Sequence, residues 1–237
     1  MSIKNRNKNQ GIQINIKQDF TNDNLTAYAG ALQMSKYMEK ISIPSLFDKT
    51  FPTNYYSATK YSNMQILMSL CLASMCDTNR ISNIENFTAD PLIKKILRLP
   101  KGIDEDTLHY RLNQLGENGA RKLNELLFKK YSQLLPRSGL SSITIDIDST
   151  VEATYGNQEG AAKGYNPYHK GANSYHPNIA FCAQTKQILG SWFRTGSAYT
   201  SNGTNELINQ ITSNLPSSIK EILFRMDCGY FSDKIIS

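Results

Sequence analysis

Two stretches of this sequence place carboxylates where apolar strands are predicted to end. In Ile143-Thr-Ile-Asp-Ile-Asp148 the isoleucines alternate with polar residues, so Asp146 and Asp148 share the face opposite the isoleucines. A second apolar segment, residues 219–226, leads directly to Asp227. Carboxylates at the carboxyl ends of strands joined by a right-handed crossover can lie side by side. Such a pair could bind Mg²⁺, which prefers oxygen ligands, and paired ions of this kind promote phosphoryl transfer.

An ordinary structural role for the same aspartates stays open. Aspartate at a strand end often forms a turn or caps the following helix, and for either residue alone this is the commoner case. The pair therefore needs support from further motifs before a catalytic interpretation outweighs a structural one.

The elements that must position these carboxylates follow from the hydrophobic period. Apolar residues recur with a helical period from Ala27 to about Leu135, and Asp104 is predicted to begin one of these helices. Pro136-Arg-Ser-Gly139 interrupts the period, and apolar residues then alternate with period 2 from Leu140. The predicted order after residue 140 is a strand, a hairpin of two strands, a helix from about Thr204, a strand, and a further helix over 231–236.

The chain is therefore predicted to contain three segments. Residues 1–25 form a mobile arm in which Ile12, Ile14 and Ile16 could form an edge strand. Residues 26–137 form an all-helical region, and residues 140–237 form a domain of strands and helices. The fold class is α+β to α/β.

Composition excludes several classes of protein. The chain has 237 residues, of which 40% are hydrophobic and 19% charged, as in soluble globular proteins. Its longest apolar stretch, Ile66 to Cys76, is far shorter than the ~20 residues that span a bilayer, and no signal peptide is visible, so a cytoplasmic protein is expected. The net charge of +6 and the pI of about 9.0 fit a polyanionic partner without requiring one. No cysteine or histidine spacing predicts a zinc site or a disulfide.

Several short motifs between Ile143 and Phe231 give the catalytic interpretation its weight. They are Asp146-Ile-Asp-Ser-Thr150, Tyr155-Gly-Asn-Gln-Glu-Gly160, Lys163-Gly-Tyr-Asn-Pro167, Ser174-Tyr-His-Pro177, Arg194-Thr-Gly196 and Arg225-Met-Asp-Cys-Gly-Tyr230. In order and spacing they resemble the catalytic domain of bacterial insertion-sequence transposases of the DDE type. Within this type, the resemblance is greatest to the "IS thirteen-eighty" group. The likeness is looser in the helical half, where Asp106-Thr-Leu-His-Tyr-Arg111 and the Asp90-Pro91 turn resemble that family's N-terminal region.

This resemblance implies a ribonuclease-H-like fold for residues 140–237. It places the first catalytic aspartate at Asp148, with Asp146 as runner-up, and the second at Asp227, with Asp148 and Asp227 as ligands of Mg²⁺ or Mn²⁺. The family's third acidic residue, a Glu in a Tyr-x-x-Arg-x-x-x-Glu block on a later helix, has no counterpart before Ser237. The resemblance therefore implies a catalytic domain that is incomplete at its C-terminus, and no strand transfer by residues 1–237 alone.

Cations and aromatic residues interleave in Lys163-Gly-Tyr-Asn-Pro-Tyr-His-Lys170. This composition suits contacts to backbone phosphate and to an unpaired base, and a solvated Tyr-rich turn fits it equally well. The loop and the motifs around it supply the predicted DNA contacts, which are Lys163, Tyr165, His169, Lys170, Arg194 and Arg225.

The sequence thus predicts a DNA transposase that cleaves a phosphodiester with metal ions and then transfers a strand through its 3′-hydroxyl. Its helical region would bind the terminal inverted repeats of the element, and target DNA would be the second partner, in the cytoplasm at the nucleoid and without a membrane. Pairing of two copies on DNA is left open. One alternative is a non-catalytic DNA-binding remnant or a repressor of a full-length transposase, and another is a stand-alone nuclease of the same fold.

Overall fold

A computed structural model describes residues 25–54, 60–166, 169–231 and 235. The predicted arm and its edge strand, like most of the helix predicted over 231–236, lie outside the described residues. The chain divides into two compact units, Met1–Gln114 and Leu115–Ser237. We refer to them as the helical unit and the sheet unit.

The described part of the helical unit contains α-helices and no strand, as its period predicts. The helices are α1 (Ala31–Lys40), α2 (Ile43–Thr50), α3 (Asn63–Met75), α4 (Ile84–Ala89), α5 (Pro91–Leu97) and the first part of α6 (Glu105–Leu134). Polar side chains begin three of them. Ser62 and Gln65 form a capping box at α3, Asp90 accepts hydrogen bonds from the first turn of α5, and Asp104 Oδ1 accepts one from Thr107 N at 2.7 Å before α6. The predicted helix start at Asp104 is confirmed.

The boundary between the units differs from the one predicted near Pro136–Gly139. Helix α6 is interrupted at Gly116, whose φ of 52° and ψ of −162° are not helical, and the division falls at Gln114/Leu115. The reason is packing. Beyond Gly116 the helix supplies Phe128 to the core of the sheet unit, so a continuous helical period in the sequence crosses from one unit into the other.

The main sheet of the sheet unit has four strands in the order β6-β5-β1-β7. Strands β1 (Ser142–Ser149), β5 (Asn178–Cys182) and β6 (Ile188–Trp192) are antiparallel neighbours, whereas β7 (Glu221–Met226) is parallel to β1. A smaller antiparallel sheet, in the order β2-β4-β3, consists of β2 (Glu152–Ala153), β3 (Ala162–Lys163) and β4 (Asn173–Tyr175). The predicted sequence of strand, hairpin, helix and strand is present.

One face of β1 forms the centre of the sheet-unit core. Ile143, Ile145 and Ile147 are buried, as their alternation predicts. Helix α7 (Thr204–Asn214) connects β6 to β7 and contributes Leu207 and Ile211 to the same core. With three isoleucines fixed on the core face, Thr144, Asp146 and Asp148 are directed to the other face.

A glycine in β6 permits close packing of this core. A Cβ added at Gly190 would overlap the ring of Phe128, so any larger residue would displace that ring or the strand. Within the described residues, no helix is both long enough and apolar enough to cross a membrane.

Candidate active site

Asp148 and Asp227 lie at equivalent positions where two neighbouring parallel strands end. The register pairs Ile147 of β1 with Met226, the last residue of β7, and each aspartate is the next residue along the chain. Adjacent strands lie about 4.8 Å apart, so the two residues are neighbours at the carboxyl edge of the sheet. Both are exposed. The sheet therefore brings two carboxylates from distant parts of the chain to one accessible place.

Each of these carboxylates is oriented by a backbone N–H that follows it in the chain. Asp148 Oδ1 accepts a hydrogen bond from Ser149 N at 2.8 Å, and Asp227 Oδ1 accepts one from Gly229 N at 2.9 Å. The second bond caps the 3₁₀ turn Cys228–Tyr230. A turn-capping role and a ligand role are thus compatible at Asp227, because the turn engages Oδ1 and a carboxylate has a second oxygen.

Asp146, the runner-up for the first catalytic position, has a different environment. Arg225 lies opposite it in the β1–β7 register and forms a bidentate pair, with Nε to Oδ1 at 2.6 Å and Nη2 to Oδ2 at 2.8 Å. This bonding lowers the pKa of Asp146 and raises that of Arg225. Both oxygens of Asp146 are engaged by Arg225, which favours Asp148 as the metal ligand of β1.

Four polar side chains form a hydrogen-bonded cluster next to the two aspartates, and we call Ser149, His176, Asn178 and Tyr230 the polar cluster. Tyr230 Oη donates to Asn178 Oδ1 at 2.8 Å, and His176 Nε2 lies 3.0 Å from Ser149 Oγ. His176 Nδ1 lies 2.7 Å from the carbonyl oxygen of Ala198. Since a carbonyl only accepts, Nδ1 carries the proton, and in the neutral ring Nε2 accepts from the Ser149 hydroxyl.

The electrostatics of Tyr230 reflect its position. Burial raises the pKa of Tyr230 to about 12, the negative charges of Asp148 and Asp227 add to the rise, and Ser149 and Arg194 oppose it. The negative charges of both candidate metal ligands therefore raise the pKa of the Tyr230 phenol. Tyr230 belongs to a motif that the sequence singled out, but its partner Asn178 does not, and no spacing in the sequence pairs two residues that lie 52 positions apart.

Arg194, a predicted DNA contact, makes its hydrogen bonds within the protein. Its Nε donates to the carbonyl of His176 at 2.9 Å, and its Nη1 donates to the carbonyls of Tyr199, Thr200 and Asn202. Burial lowers the pKa of this guanidinium. Arg194 thus fixes the loop 194–202 around itself.

Of the five other predicted DNA contacts, Arg225 lies in β7 and pairs with Asp146, and four lie in or near β3. Lys163, Tyr165, His169 and Lys170 are all exposed, Tyr165 by 76%. A Cβ added at Gly164 would overlap the backbone of Gly196, so the segment with Lys163 and Tyr165 packs tightly on the loop that Arg194 organises. Lys163 and Tyr165 are therefore exposed to solvent while their backbone packs on the loop 194–202.

The donors present suit a hard divalent cation. Mg²⁺ is commonly held by one or two carboxylates together with substrate phosphate oxygens, and Asp148 and Asp227 supply two. Among the residues that the structure describes, no group of three or more His, Cys, Asp or Glu side chains could hold a metal ion. The two carboxylates could therefore supply part of the ligand set of such an ion, with phosphate oxygens as further ligands.

The chain is similar to one family of known proteins over nearly all of its length. A family model described as "Transposase DDE domain group 1" matches residues 8–237, which cover most of the helical unit and all of the sheet unit. No curated protein and no solved structure matches the chain.

Proposed function

This chain belongs to the DDE transposase family, and we propose that its sheet unit cleaves DNA phosphodiester bonds with divalent metal ions held by Asp148 and Asp227. The adjacency of these aspartates at the ends of β1 and β7 carries the proposal. Two carboxylates at one sheet edge are enough to hold a Mg²⁺ ion whose other ligands include phosphate oxygens.

We further assign the sheet unit to the ribonuclease-H-like fold and the chain to the "IS thirteen-eighty" group. The topology supports the first assignment, since three antiparallel strands are followed by a helix and a strand parallel to the first. The motifs from Asp146 to Tyr230 support the second.

In this function the protein supplies position and charge. Bound Mg²⁺ or Mn²⁺ would activate the attacking hydroxyl and stabilise the leaving oxygen. Asp148 and Asp227 would hold the ion at the sheet edge, and the Asp146–Arg225 pair lies beside them on the same face of the sheet. Lys163, Tyr165, His169 and Lys170 would bind backbone phosphate and an unpaired base.

The helical unit would bind the terminal repeats of the element, mainly through phosphates. Its exposed cations include Arg80, Lys95 and Arg98. A positive surface of this kind neutralises phosphates and releases counterions, so binding should weaken steeply with salt.

One observation favours a second candidate function, a DNA-binding protein without catalysis. The described residues contain no third acidic ligand beside Asp148 and Asp227. Each missing ligand leaves more positive charge uncompensated, so a second ion would bind poorly and strand transfer would be absent.

A plasmid-nicking assay with Mn²⁺ separates these functions. We expect slow nicking of supercoiled DNA by the full chain and a loss of at least tenfold in Asp148→Asn and in Asp227→Asn. Asp48→Asn, an exposed aspartate of α2, is the matched control and should nick like the unmodified chain. Salt-sensitive DNA binding with no nicking would contradict the catalytic proposal and support the DNA-binding function. Strand joining would show that the chain has the full activity of a transposase.

A further inference from the structure

Tyr230 links the strand that precedes Asp227 to the strand on the far side of Asp148. It lies at the end of the turn after β7, is 1% exposed, and bonds to Asn178 at the start of β5. In the sheet order β5-β1-β7, Asn178 is the register partner of Ser149, the residue directly after Asp148. The Tyr230–Asn178 bond therefore joins the two strands that flank the end of β1.

His176 fixes the end of β1 from another direction. It is 4% exposed and bridges Ser149 Oγ to the carbonyl of Ala198 through its two ring nitrogens. Its backbone is held as well, since His176 N donates to the carbonyl of Arg194 and Arg194 Nε donates back to the carbonyl of His176, both at 2.9 Å. Ser149 thus has a rigid partner.

The same loop supports the turn that follows Asp227. A Cβ added at Gly229 would lie 3.4 Å from Thr200 Cβ, and the carbonyl of Thr200 accepts a hydrogen bond from Arg194 Nη1 at 3.1 Å. The loop 194–202 therefore lies close to Gly229, which follows Asp227. The same loop bonds to His176 through the carbonyl of Ala198, and His176 bonds in turn to Ser149, which follows Asp148.

We propose that Tyr230 and His176 are positioning residues that fix the spacing between Asp148 and Asp227, so that both carboxylates face the same divalent cation. The inference rests on the proposed function, because it gives these residues a purpose only if that pair binds metal. Neither side chain is proposed to touch the ion.

The choice of buried polar groups supports a positioning role. Burying a phenol and an amide costs free energy unless they bond to each other, whereas a phenylalanine at 230 would fill the same space. A hydrogen bond restricts distance and angle, which apolar packing does not. Groups that orient metal ligands typically contribute 10- to 100-fold to metal affinity.

The first test removes one hydroxyl. In Tyr230→Phe the ring stays and the bond to Asn178 is lost, and we expect Mn²⁺ to bind the full chain about tenfold more weakly, as measured by electron paramagnetic resonance of free Mn²⁺. Nicking should recover as the Mn²⁺ concentration is raised, because only metal affinity is affected. Tyr155→Phe, at a tyrosine that is 90% exposed, is the matched control and should bind Mn²⁺ like the unmodified chain.

The second test acts on the His176 side of the polar cluster. Ser149→Ala removes the hydroxyl that His176 holds, and Ser149→Thr retains it. We expect weaker Mn²⁺ binding in Ser149→Ala and recovery in Ser149→Thr. This pair decides the question if Tyr230→Phe fails to fold.

Failure of this inference is distinguishable from failure of the proposed function. If Asp148→Asn binds Mn²⁺ as tightly as the unmodified chain, the metal site itself is wrong, and the positioning role falls with it. If Asp148→Asn loses Mn²⁺ while Tyr230→Phe and Ser149→Ala bind it normally, only the positioning role is overturned. A lower melting temperature with unchanged Mn²⁺ affinity would give Tyr230 a purely structural role and likewise overturn it.

Discussion

Three buried hydroxyls of the helical unit and two buried side chains of the sheet unit bond over different sequence distances. In the helical unit, Ser35, Ser69 and Thr88 each donate to a backbone carbonyl three or four positions earlier, although Thr88 Oγ1 also accepts a hydrogen bond from Ile103 N. The longer-range bond from Tyr61 Oη to the carbonyl of Gly102 joins two segments of that unit. In the sheet unit, His176 bonds to residues 22 and 27 positions away, and Asn178 bonds to Tyr230 across 52 positions. A local bond stabilises one helix, whereas a long-range bond fixes two elements relative to each other. A site that needs one aspartate from each of two strands depends on bonds of the second kind.

A matched pair of core truncations should separate stability from site geometry. Ile93 in α5 and Ile145 in β1 are both 0% exposed, so truncation of either to alanine should cost about 2–5 kcal/mol in free energy of unfolding. Only Ile145→Ala should also weaken Mn²⁺ binding by the folded protein, because its cavity lies beneath the strand that carries Asp148. Urea unfolding followed by circular dichroism gives the first quantity, and Mn²⁺ titration below the unfolding transition gives the second. An equal loss of Mn²⁺ affinity in Ile93→Ala would contradict the claim that Mn²⁺ binding depends on packing in the sheet unit alone.

The next largest effect is expected at Tyr230 and depends on pH. Its pKa is raised to about 12 in the folded state, above the ordinary value of 10.0. Its stabilising contribution is therefore fully present below pH 10 and is lost as the pH rises through about 12, since the unfolded chain gives up the proton first. Removal of the buried hydroxyl in Tyr230→Phe should cost about 1–3 kcal/mol at pH 8, because Asn178 Oδ1 loses its donor.

Urea unfolding between pH 8 and pH 11 checks this prediction. The unmodified chain should lose stability above pH 10, and the difference from Tyr230→Phe should shrink over the same range. Tyr155→Phe should keep the profile of the unmodified chain. Parallel pH profiles for the unmodified chain and Tyr230→Phe would contradict the assignment.

The same contrast explains how much the sequence could predict. Alternation placed the β1 isoleucines in the core and Asp146 and Asp148 on the opposite face, and the Asp104 cap could be read within four residues of sequence. The adjacency of Asp148 to Asp227 needed only an assumed right-handed crossover. The bidentate Asp146–Arg225 pair could not be foreseen, because it follows from a strand register that no local pattern specifies.

The unit boundary and the internal hydrogen bonds of Arg194 could not be predicted from the sequence, for related reasons. A helical period continues through Gly116, and it does not indicate which core each side chain will join. Arg194 has the residue type and the motif of a phosphate contact. Only the folded loop shows that four backbone carbonyls accept hydrogen bonds from its Nε and Nη1.

A smaller effect is expected at a local cap of the helical unit. Asp104 accepts from Thr107 N, and its hydrogen bonds with Thr107 hold its pKa below the ordinary value. Asp104→Ala should cost about 1 kcal/mol at pH 7. Because the pKa is lowered on folding, the charged carboxylate stabilises above about pH 4 and the contribution is lost as the pH falls below that.

Thermal unfolding at pH 7 and at pH 3 measures this cap. Asp104→Asn should retain most of the stability at pH 7, since asparagine caps helices about as well as aspartate. Mn²⁺ affinity should be unchanged in both variants, in contrast to substitutions in the polar cluster. A change in Mn²⁺ affinity would show that the cap acts beyond its own helix.

The smallest effect on stability is expected from the exposed cations around β3. Lys163→Ala combined with Lys170→Ala should alter the free energy of unfolding by no more than about 0.5 kcal/mol, because both side chains are solvated. If each lysine neutralises one phosphate, the slope of log affinity for DNA against log salt should lose about two units. Lys129→Ala, an exposed lysine of α6, is the matched control and should leave the slope unchanged. Fluorescence anisotropy between 50 and 200 mM salt measures this slope. Over that range even a few phosphate contacts change the affinity for DNA by at least about tenfold. An unchanged slope in the double variant would show that these two lysines do not contact phosphate and that the segment is a solvated turn. The cations of the helical unit would then be the candidates for DNA binding.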